Sequence, residues 1–453
     1  MEEGENQAPQ LIRPRIRLGR GGRVLLIHSP IMLDFLAAAG LFLLAFFLLL
    51  PVYWAWRFAL LFPPRSEKPV PDLDLPRAGV VLCLRGTDPS LESCLAALLA
   101  QDYPSYAVWL VIDSEEDPAW HAVTRILQSL PKPIVPVHVR VLEEHRETCS
   151  LKLSAQLQAL AELRDDGCQV VAFIDADVVP APDWLRALIM PLLEPQVGAS
   201  CGIRWYTPTG KSWGTLVRYL WNGAALTQMF AFTIPWGGSL AFRLDVIGRA
   251  GLLEQWASSF CEDTSSPGRL THLGLKIRIV PAAWTINSET TDLRSSLTFI
   301  RRQLVCTRLH HPRWPAIVAV NTAHVLALVT ALTLGTAGWL FENWLVAGVM
   351  AGLVSAFAVG LVAALFRGER ALRRLARDRG IELPTFSLSW RAWLACPLTQ
   401  VLHVGCLVSA LAVHRIAWRG ITYLLEGRGK IRMLKYHPYR GQKESAAEAT
   451  SLV

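Results

Sequence analysis

Four long stretches without a charged residue constrain this chain more than any other feature of its sequence. They cover residues 35–56, 314–341, 343–366 and 392–413. Each reaches the roughly 18–20 residues that a helix needs to cross the hydrocarbon core of a bilayer. Helices buried in water-soluble proteins seldom run so long without a charge. The sequence therefore predicts a multi-pass membrane protein, with an N-terminal anchor at 31–64 and a C-terminal membrane region at 314–417.

A long region of mixed polarity, residues 65–313, separates the first stretch from the others and is predicted to fold in water. Basic residues flank the membrane segments, in an N-terminal tail (1–30), a linker (367–391) and a C-terminal tail (418–453). The net charge of +8 is thus concentrated at the predicted ends of the bilayer. This placement indicates anionic lipid headgroups and the positive-inside rule, and it argues against nucleic acid as a partner.

The nine cysteines form no CxxC pair, which indicates reduced thiols and a cytoplasmic location for residues 65–313. Four simple crossings would put the N-terminal tail opposite this region, so the basic flanks could not all be cytoplasmic. Pro51 and Pro397 lie within the first and last apolar stretches, and either segment is able to re-enter or to lie along the interface. The sequence leaves the number of crossings open.

Short apolar runs alternate with helical patterns after residue 78. Strands are predicted at residues 79–84, 107–112, 137–142 and 170–174, and helices at 90–100 and 151–163. This alternation predicts a mostly parallel, Rossmann-like α/β sheet, in which ligands bind at the carboxyl ends of the strands. Asp113 and Asp175 directly follow two of these strands, so we expect both to face one crevice.

The tripeptide Asp175-Ala176-Asp177 is the segment most indicative of chemistry. Two carboxylates around a small residue can serve one divalent cation, whose remaining positions are filled by phosphate oxygens and water. A second acidic pair, Glu262-Asp263, offers a carboxylate to take the proton of an acceptor hydroxyl. The alternatives are a turn for the first pair and a helix N-terminus rich in acids for the second.

Glycines and arginines near the acidic pairs complete the candidate site. Gly237 and Gly238 allow close approach of the backbone to a ligand, or make a turn. Arg301, Arg302 and Arg308 lie just before the second apolar stretch. Arginines there either contact a departing diphosphate or anchor the chain to lipid headgroups.

Three segments resemble the ceramide glucosyltransferase branch of the inverting, GT-A-type, family-2-like glycosyltransferases. They are RGTDPSL with the following DYPSY (85–91 and 102–106), IDAD (174–177), and GGSLAFRLDV with the following CED (237–246 and 261–263). The resemblance spans about residues 78–310 of the chain. It implies an α/β GT-A domain, flanked by transmembrane or interfacial helices, that transfers a hexose from a UDP-sugar to a lipid acceptor.

The resemblance also implies roles for individual residues. It assigns Asp175 and Asp177 to Mg²⁺ or Mn²⁺, and it assigns Asp263 to the general base with Glu262 beside it. It places Asp113 at the uracil–ribose end of the donor. The other residues predicted to bind the nucleotide-sugar are Arg85, Gly86, Lys152, Arg302 and Arg308, and Gly237 and Gly238 are predicted on the acceptor side.

One departure concerns the closing segment of the family, (Q/R)xxRW. This sequence has RQLVC at residues 302–306, so the Arg-Trp pair is missing. Three replacements are open: Arg302, Arg308, or the pair Arg313-Trp314 displaced by about eight residues.

Two other functions are weighed against lipid glycosylation. A processive polysaccharide synthase needs a translocation channel, and three C-terminal stretches without a buried charge disfavour such a pore. A membrane scaffold that has lost transfer is favoured by the missing Arg-Trp pair and opposed by the intact acidic residues. The sequence does not specify the sugar, the lipid or the oligomeric state.

Overall fold

The computed structural model describes residues 30–62, 71–131, 134–208, 210–287, 290–383, 390–427 and 429–439, with side chains from residue 34 onward. Nearly all of the predicted N-terminal tail lies outside the described residues, as do part of the predicted linker and the C-terminal tail beyond residue 439.

Within the described residues, eight strands form one mostly parallel sheet. The strands are β1 (Ala78–Leu84), β2 (Tyr106–Ile112), β3 (Val137–Val141), β4 (Val170–Ile174), β5 (Val179–Pro180), β6 (Val197–Tyr206), β7 (Ser239–Arg243) and β8 (Lys276–Asn287). Their order is β3-β2-β1-β4-β7-β6-β8-β5, and β7 and β5 run antiparallel to their neighbours. The architecture confirms the predicted GT-A-like, mostly parallel α/β fold.

Helices cover both faces of this sheet. They are α2 (Leu91–Leu99), α3 (Pro118–Ser129), α4 (Leu151–Asp165), α5 (Trp184–Ile189), α6 (Trp213–Phe232), α7 (Leu244–Arg249), α8 (Leu252–Trp256), α9 (Glu262–His272) and α10 (Leu293–His310). One apolar core joins the sheet to α2, α3 and α5, and another joins it to α4, α6, α8 and α10. Strands buried on both faces are expected to be continuously apolar, as β1, β2 and β4 are.

The register of the central strands brings their carboxyl ends to one edge. Leu84 of β1 pairs with Ile112 of β2, and Leu82 of β1 pairs with Ile174 of β4. The residues that follow these strands therefore meet at the place where parallel α/β sheets bind their ligands.

Four helices of the described chain are long and apolar enough to cross a membrane. They are α1 (Pro30–Ala59), α11 (Trp314–Leu340), α12 (Trp344–Asp378) and α13 (Trp390–Ala412). Helices α1, α11 and α12 pack against one another, whereas α13 packs on α6 and α10. Pro51 and Pro397 lie inside continuous helices.

Helix α12 continues about three turns beyond its apolar stretch, into the segment predicted as a linker. The Glu369 carboxylate accepts a hydrogen bond from the Trp205 indole at 2.9 Å and forms an ion pair with Arg373 at 2.7 Å. Charged pairs four residues apart stabilise a helix, and this pair also docks α12 on β6. The helix therefore extends through a segment whose composition suggested a linker.

A second, three-stranded antiparallel sheet follows α13 and corrects our description of residues 418–453 as a tail. It consists of β9 (Arg415–Trp418), β10 (Ile421–Gly427) and β11 (Lys430–Met433). Alternate residues such as Ile416, Tyr423 and Ile431 are buried in the core shared with α4 and α10. The Met433 amide donates to the Glu147 carbonyl at 2.7 Å, which fixes this sheet to the loop before α4.

Candidate active site

A cavity of about 300 Å³ opens at the carboxyl edge of β1, β2 and β4. Its walls come from the strand ends, from α4 and α10, and from the C-terminal sheet. The lining residues are Cys83, Leu84, Arg85, Asp88, Val111, Asp113, Leu142, Leu151, Lys152, Ala155, Asp175, Ala176, Asp177, Arg204, Arg218, Phe299, Arg302, Trp418, Arg419 and Tyr423. Five predicted donor or metal residues thus share one cavity with Asp113.

One end of the cavity combines apolar walls with a single buried carboxylate. Asp113 is paired with the Arg85 guanidinium and lies near Val111 and Leu142. Burial raises the pKa of the Asp113 carboxyl, although Arg85 acts in the opposite direction. Gly86 adopts a left-handed conformation (φ +75°), and its amide donates to the Asp117 side chain at 2.9 Å, so it shapes the loop beneath this end.

The other end holds the two carboxylates after β4. Asp175 Oδ1 lies 2.9 Å from Lys152 Nζ, and Asp175 Oδ2 lies 3.1 Å from Arg204 Nη2. Burial opposes ionisation of Asp175, but the two cations outweigh it and lower the pKa of this carboxyl. Asp175 is therefore ionised at neutral pH.

Asp177 has a carboxylate oxygen available for a ligand. Its Oδ2 lies 3.6 Å from Arg204 Nη1, whereas its buried Oδ1 has no hydrogen-bond partner among the described residues. The described part of the chain contains no group of three or more side chains able to bind a metal. Two carboxylates nevertheless suit Mg²⁺ or Mn²⁺ when phosphate oxygens and water complete the coordination. The residues therefore fit a cation that binds together with a diphosphate.

The acidic pair at the start of α9 adjoins the first pair through Lys152. Lys152 Nζ lies 2.9 Å from Glu262 Oε1 as well as 2.9 Å from Asp175, and these carboxylates raise the lysine pKa against the effect of burial. Burial raises the pKa of Glu262, which is 1% exposed. Asp263 is half-buried and accepts a hydrogen bond from the Gly237 amide at 2.9 Å. Lys152, predicted to bind the donor, thus joins the two acidic pairs.

The two glycines make this close approach possible. A Cβ on Gly237 would lie 2.2 Å from Glu262 Oε1, and a Cβ on Gly238 would lie 2.5 Å from Asp175 Oδ2. A larger residue at Gly237 would displace Glu262, and one at Gly238 would displace the Trp236 ring as well as Asp175. The structure brings Gly237 and Gly238 to the acidic residues, although neither glycine lines the cavity.

Of the three arginines predicted to replace the missing Arg-Trp pair, only Arg302 lines the cavity. Arg302 lines the cavity, lies over the Phe299 and Trp418 rings at 5.8 and 5.6 Å, and makes no hydrogen bond or ion pair with the described residues. Arg308 instead donates to the carbonyls at the end of α13, at 2.7 and 2.6 Å. Arg313 donates to the Phe232 carbonyl at 3.4 Å and does not line the cavity.

The sequence model of one protein family, glycosyl transferase family 21, matches residues 38–431. This match covers the anchor, the α/β domain, the membrane helices and the C-terminal sheet. The chain belongs to glycosyl transferase family 21. The protein is thus a glycosyltransferase, as the resemblance to the ceramide glucosyltransferase branch predicted.

Among solved structures, this family 21 transferase is similar to a mannosyltransferase from Pyrobaculum calidifontis in complex with GDP-mannose and Mn²⁺. The identity is 20% and the TM-score is 0.44, over 83% of this chain and 98% of the other. The comparison with curated proteins gives no match.

Several residues of the family 21 site were not predicted from the sequence. Arg204, at the end of β6, contacts both Asp175 and Asp177. A lone arginine within the apolar run of β6 was the available signal, because a buried charge is rarely unpaired. Trp418 and Arg419 reach the cavity from the C-terminal sheet. The alternation of apolar residues on both sides of a glycine turn would have predicted this hairpin from the sequence.

Proposed function

We propose that this glycosyltransferase moves a hexose, with inversion, from a UDP-sugar to the hydroxyl of a membrane lipid at the cytoplasmic surface. The main support is the meeting of Asp175, Asp177 and Arg302 in one cavity. Arg302 has no anionic partner among the described residues, and Asp177 has an unpaired oxygen. A diphosphate that carries a divalent cation would satisfy both groups.

The apolar end of the cavity suits the nucleoside of the donor. Val111 and Leu142 offer apolar contact, and Asp113 with Arg85 offers polar groups that fix orientation. Asp175 and Asp177 would hold Mg²⁺ or Mn²⁺ on the diphosphate, and such a cation would stabilise the charge of the leaving group. The glycosyl group would then lie at the acidic end, near Lys152.

Asp263 is proposed as the general base. It is more exposed than Glu262, whose carboxylate is already paired with Lys152. The Gly237 amide and the start of α9 orient the Asp263 carboxylate, and a carboxylate within about 3 Å of an acceptor hydroxyl takes up its proton as the new bond forms.

The packing of the membrane helices supports three crossings, by α1, α11 and α12. The start of α13 packs on the α/β domain, because Ala392 and Ala395 are buried against Leu216 of α6. Its other end is held by Arg308 and leads directly into β9, which also packs on that domain. Both ends of α13 therefore adjoin the same domain, whereas a crossing would separate them by about 30 Å.

Helix α13 is accordingly proposed to lie along the cytoplasmic interface. Trp393, Val401 and Val408 are more than half exposed along its outer side, which suits contact with lipid. The N-terminal tail would then lie on the outer side, and residues 65–313 and the C-terminal sheet would share the cytoplasmic side. Compared with four crossings, this arrangement returns the basic C-terminal segment to the cytoplasmic side, while the basic N-terminal tail stays on the outer side.

The decisive experiment incubates purified membranes with a panel of radiolabelled UDP-sugars and Mn²⁺, followed by separation of the lipid extract. We expect label from one sugar in a lipid, and at least about a hundredfold less label in membranes that contain the Asp177→Asn variant. Label in an insoluble polymer would favour the polysaccharide synthase. A wild type that transfers no sugar and binds no UDP-sugar by calorimetry would favour the scaffold.

A further inference from the structure

The closing Arg-Trp pair is absent from residues 305–306, yet an arginine and a tryptophan meet in the cavity. Trp418 and Arg419, more than a hundred residues later, line it beside Arg302. The Arg302 guanidinium lies 5.6 Å from the centre of the Trp418 ring. Trp418 is held in turn by Phe260, at 5.7 Å between ring centres.

Arg419 occupies a strained position in the backbone. It forms, with Gly420, the two-residue turn between β9 and β10, and the two residues have φ values of +49° and +80°. Such turns favour Asn-Gly or Gly-Gly, because a side chain at positive φ costs on the order of 1 kcal/mol. Backbone stability alone would favour asparagine or glycine at this position, so the arginine side chain is expected to have a function of its own.

The Arg419 side chain contacts Asp88 in the wall of the cavity. Its Nη2 lies 2.9 and 2.7 Å from the two carboxylate oxygens of Asp88, and about a third of the side chain remains exposed. Burial lowers the pKa of Arg419, but Asp88, with a smaller contribution from Asp177, outweighs it and raises that pKa. Burial lowers the pKa of Arg302, with a smaller contribution from the Arg419 charge. The two guanidiniums and the Asp177 carboxylate are therefore close enough to interact through space.

The turn is fixed to the donor site from both sides. The Arg419 carbonyl accepts a hydrogen bond from Arg85 Nε at 2.8 Å. On β10, the Tyr423 hydroxyl accepts from the Leu151 amide at 3.2 Å, next to Lys152. A loose tail would not hold a side chain at a fixed place, whereas this turn is held by contacts to β1 and α4.

We infer that the Trp418-Arg419 turn is a diphosphate-binding element of the donor site. Arg419 and Arg302 bind the phosphate oxygens of a nucleoside diphosphate, and the Trp418 ring stacks against the Arg302 guanidinium and holds it in place. Trp418 and Arg419 thus take the place of the arginine and tryptophan that are missing from the closing segment. This inference rests on the proposed function, since it requires a nucleoside diphosphate donor.

The test compares the binding of UDP and of uridine to the purified full-length protein, by calorimetry with Mn²⁺. Arg419→Gly removes the guanidinium and also relieves the positive-φ strain. This relief offsets part of the loss of the ion pair with Asp88, so the melting temperature should fall by only a few degrees. Loss of a charge-assisted contact should weaken UDP binding about 10- to 100-fold and leave uridine binding within about twofold. Arg419→Gln, which keeps the strained backbone, should weaken UDP binding similarly.

Arg432→Gln is the matched control, because Arg432 is an exposed arginine of the same sheet, paired with Glu426. It should bind UDP like the wild type. Unchanged UDP affinity in Arg419→Gly, or an equal loss for UDP and uridine, would overturn the inference while leaving the proposed function intact. A wild type that binds no UDP would overturn the proposed function itself, and this inference with it.

Discussion

Replacing Lys152 with methionine should destabilise the protein strongly, because one ammonium group serves two acidic residues. Lys152 Nζ lies 2.9 Å from both Asp175 and Glu262, and its side chain is 16% exposed. Asp175 retains Arg204 at 3.1 Å after the change. Glu262 has no other cationic partner among the described residues, so the change leaves a buried carboxylate without a counter-charge.

The size of the effect follows from this burial. Removing one partner of a buried ion pair typically costs about 3–5 kcal/mol, because the remaining charge stays desolvated. A change of 1 kcal/mol shifts the melting temperature of a domain of this size by roughly 2–4 °C. We therefore expect Lys152→Met to lower the melting temperature by about 10 °C. The Glu262 carboxyl should also take up a proton more readily.

The assay is thermal unfolding of detergent-purified protein, followed by tryptophan fluorescence. Lys152→Met/Glu262→Gln removes the unpaired charge and should recover more than half of the loss. Lys276→Met, at an exposed lysine of β8, should melt within about 2 °C of the wild type. A small shift for Lys152→Met, or no recovery in the double variant, would refute the role of Lys152 as the shared counter-ion.

Four further predictions concern catalysis, topology and pH. Asp177→Asn should leave a folded, inserted protein with transfer cut at least about a hundredfold, and full activity of this variant in EDTA would contradict the metal assignment. Asp263→Asn should abolish transfer while calorimetry still detects donor binding; wild-type transfer would shift the base to Glu262. Glycosylation tags should report the C-terminus on the same, cytoplasmic side as residues 65–313, whereas opposite sides would restore four crossings. Burial lowers the pKa of His310 from 6.5 to about 4, so the unfolded chain binds more protons between these values and stability falls as the pH drops from 7. His310→Gln should remove about 2 kcal/mol of that loss at pH 5, and an unchanged pH profile of the melting temperature would contradict it.

Local patterns were sufficient for β1 to β4, for α2 and α4, and for the acidic part of the site. The strand predicted at 170–174 matches β4, and the helix predicted at 151–163 matches the greater part of α4. Each strand or helix is governed by a spacing of apolar residues that can be read within about ten positions. Asp113 and Asp175 line one cavity because parallel strands end at one edge, a rule that needs no knowledge of the rest of the chain.

Which arginines line the cavity depends on contacts between distant parts of the chain. Arg302 and Arg308 lie six residues apart on α10, yet one lines the cavity and the other caps α13. Sequence alone does not distinguish them, because the answer depends on where α13 ends. Arg204 likewise acquires its role only when β6 is placed beside the end of β4.

The sequence by itself determined the four apolar helices, the α/β order and the acidic pairs, since each depends on composition or on spacing over a few residues. Only the tertiary structure decided that residues 415–433 complete the cavity. Arg85 donates to the Arg419 carbonyl across 334 positions, and no local period encodes such a contact. The free energy that holds this sheet in place comes from apolar residues buried against α4 and α10, and those partners are adjacent only in the folded chain.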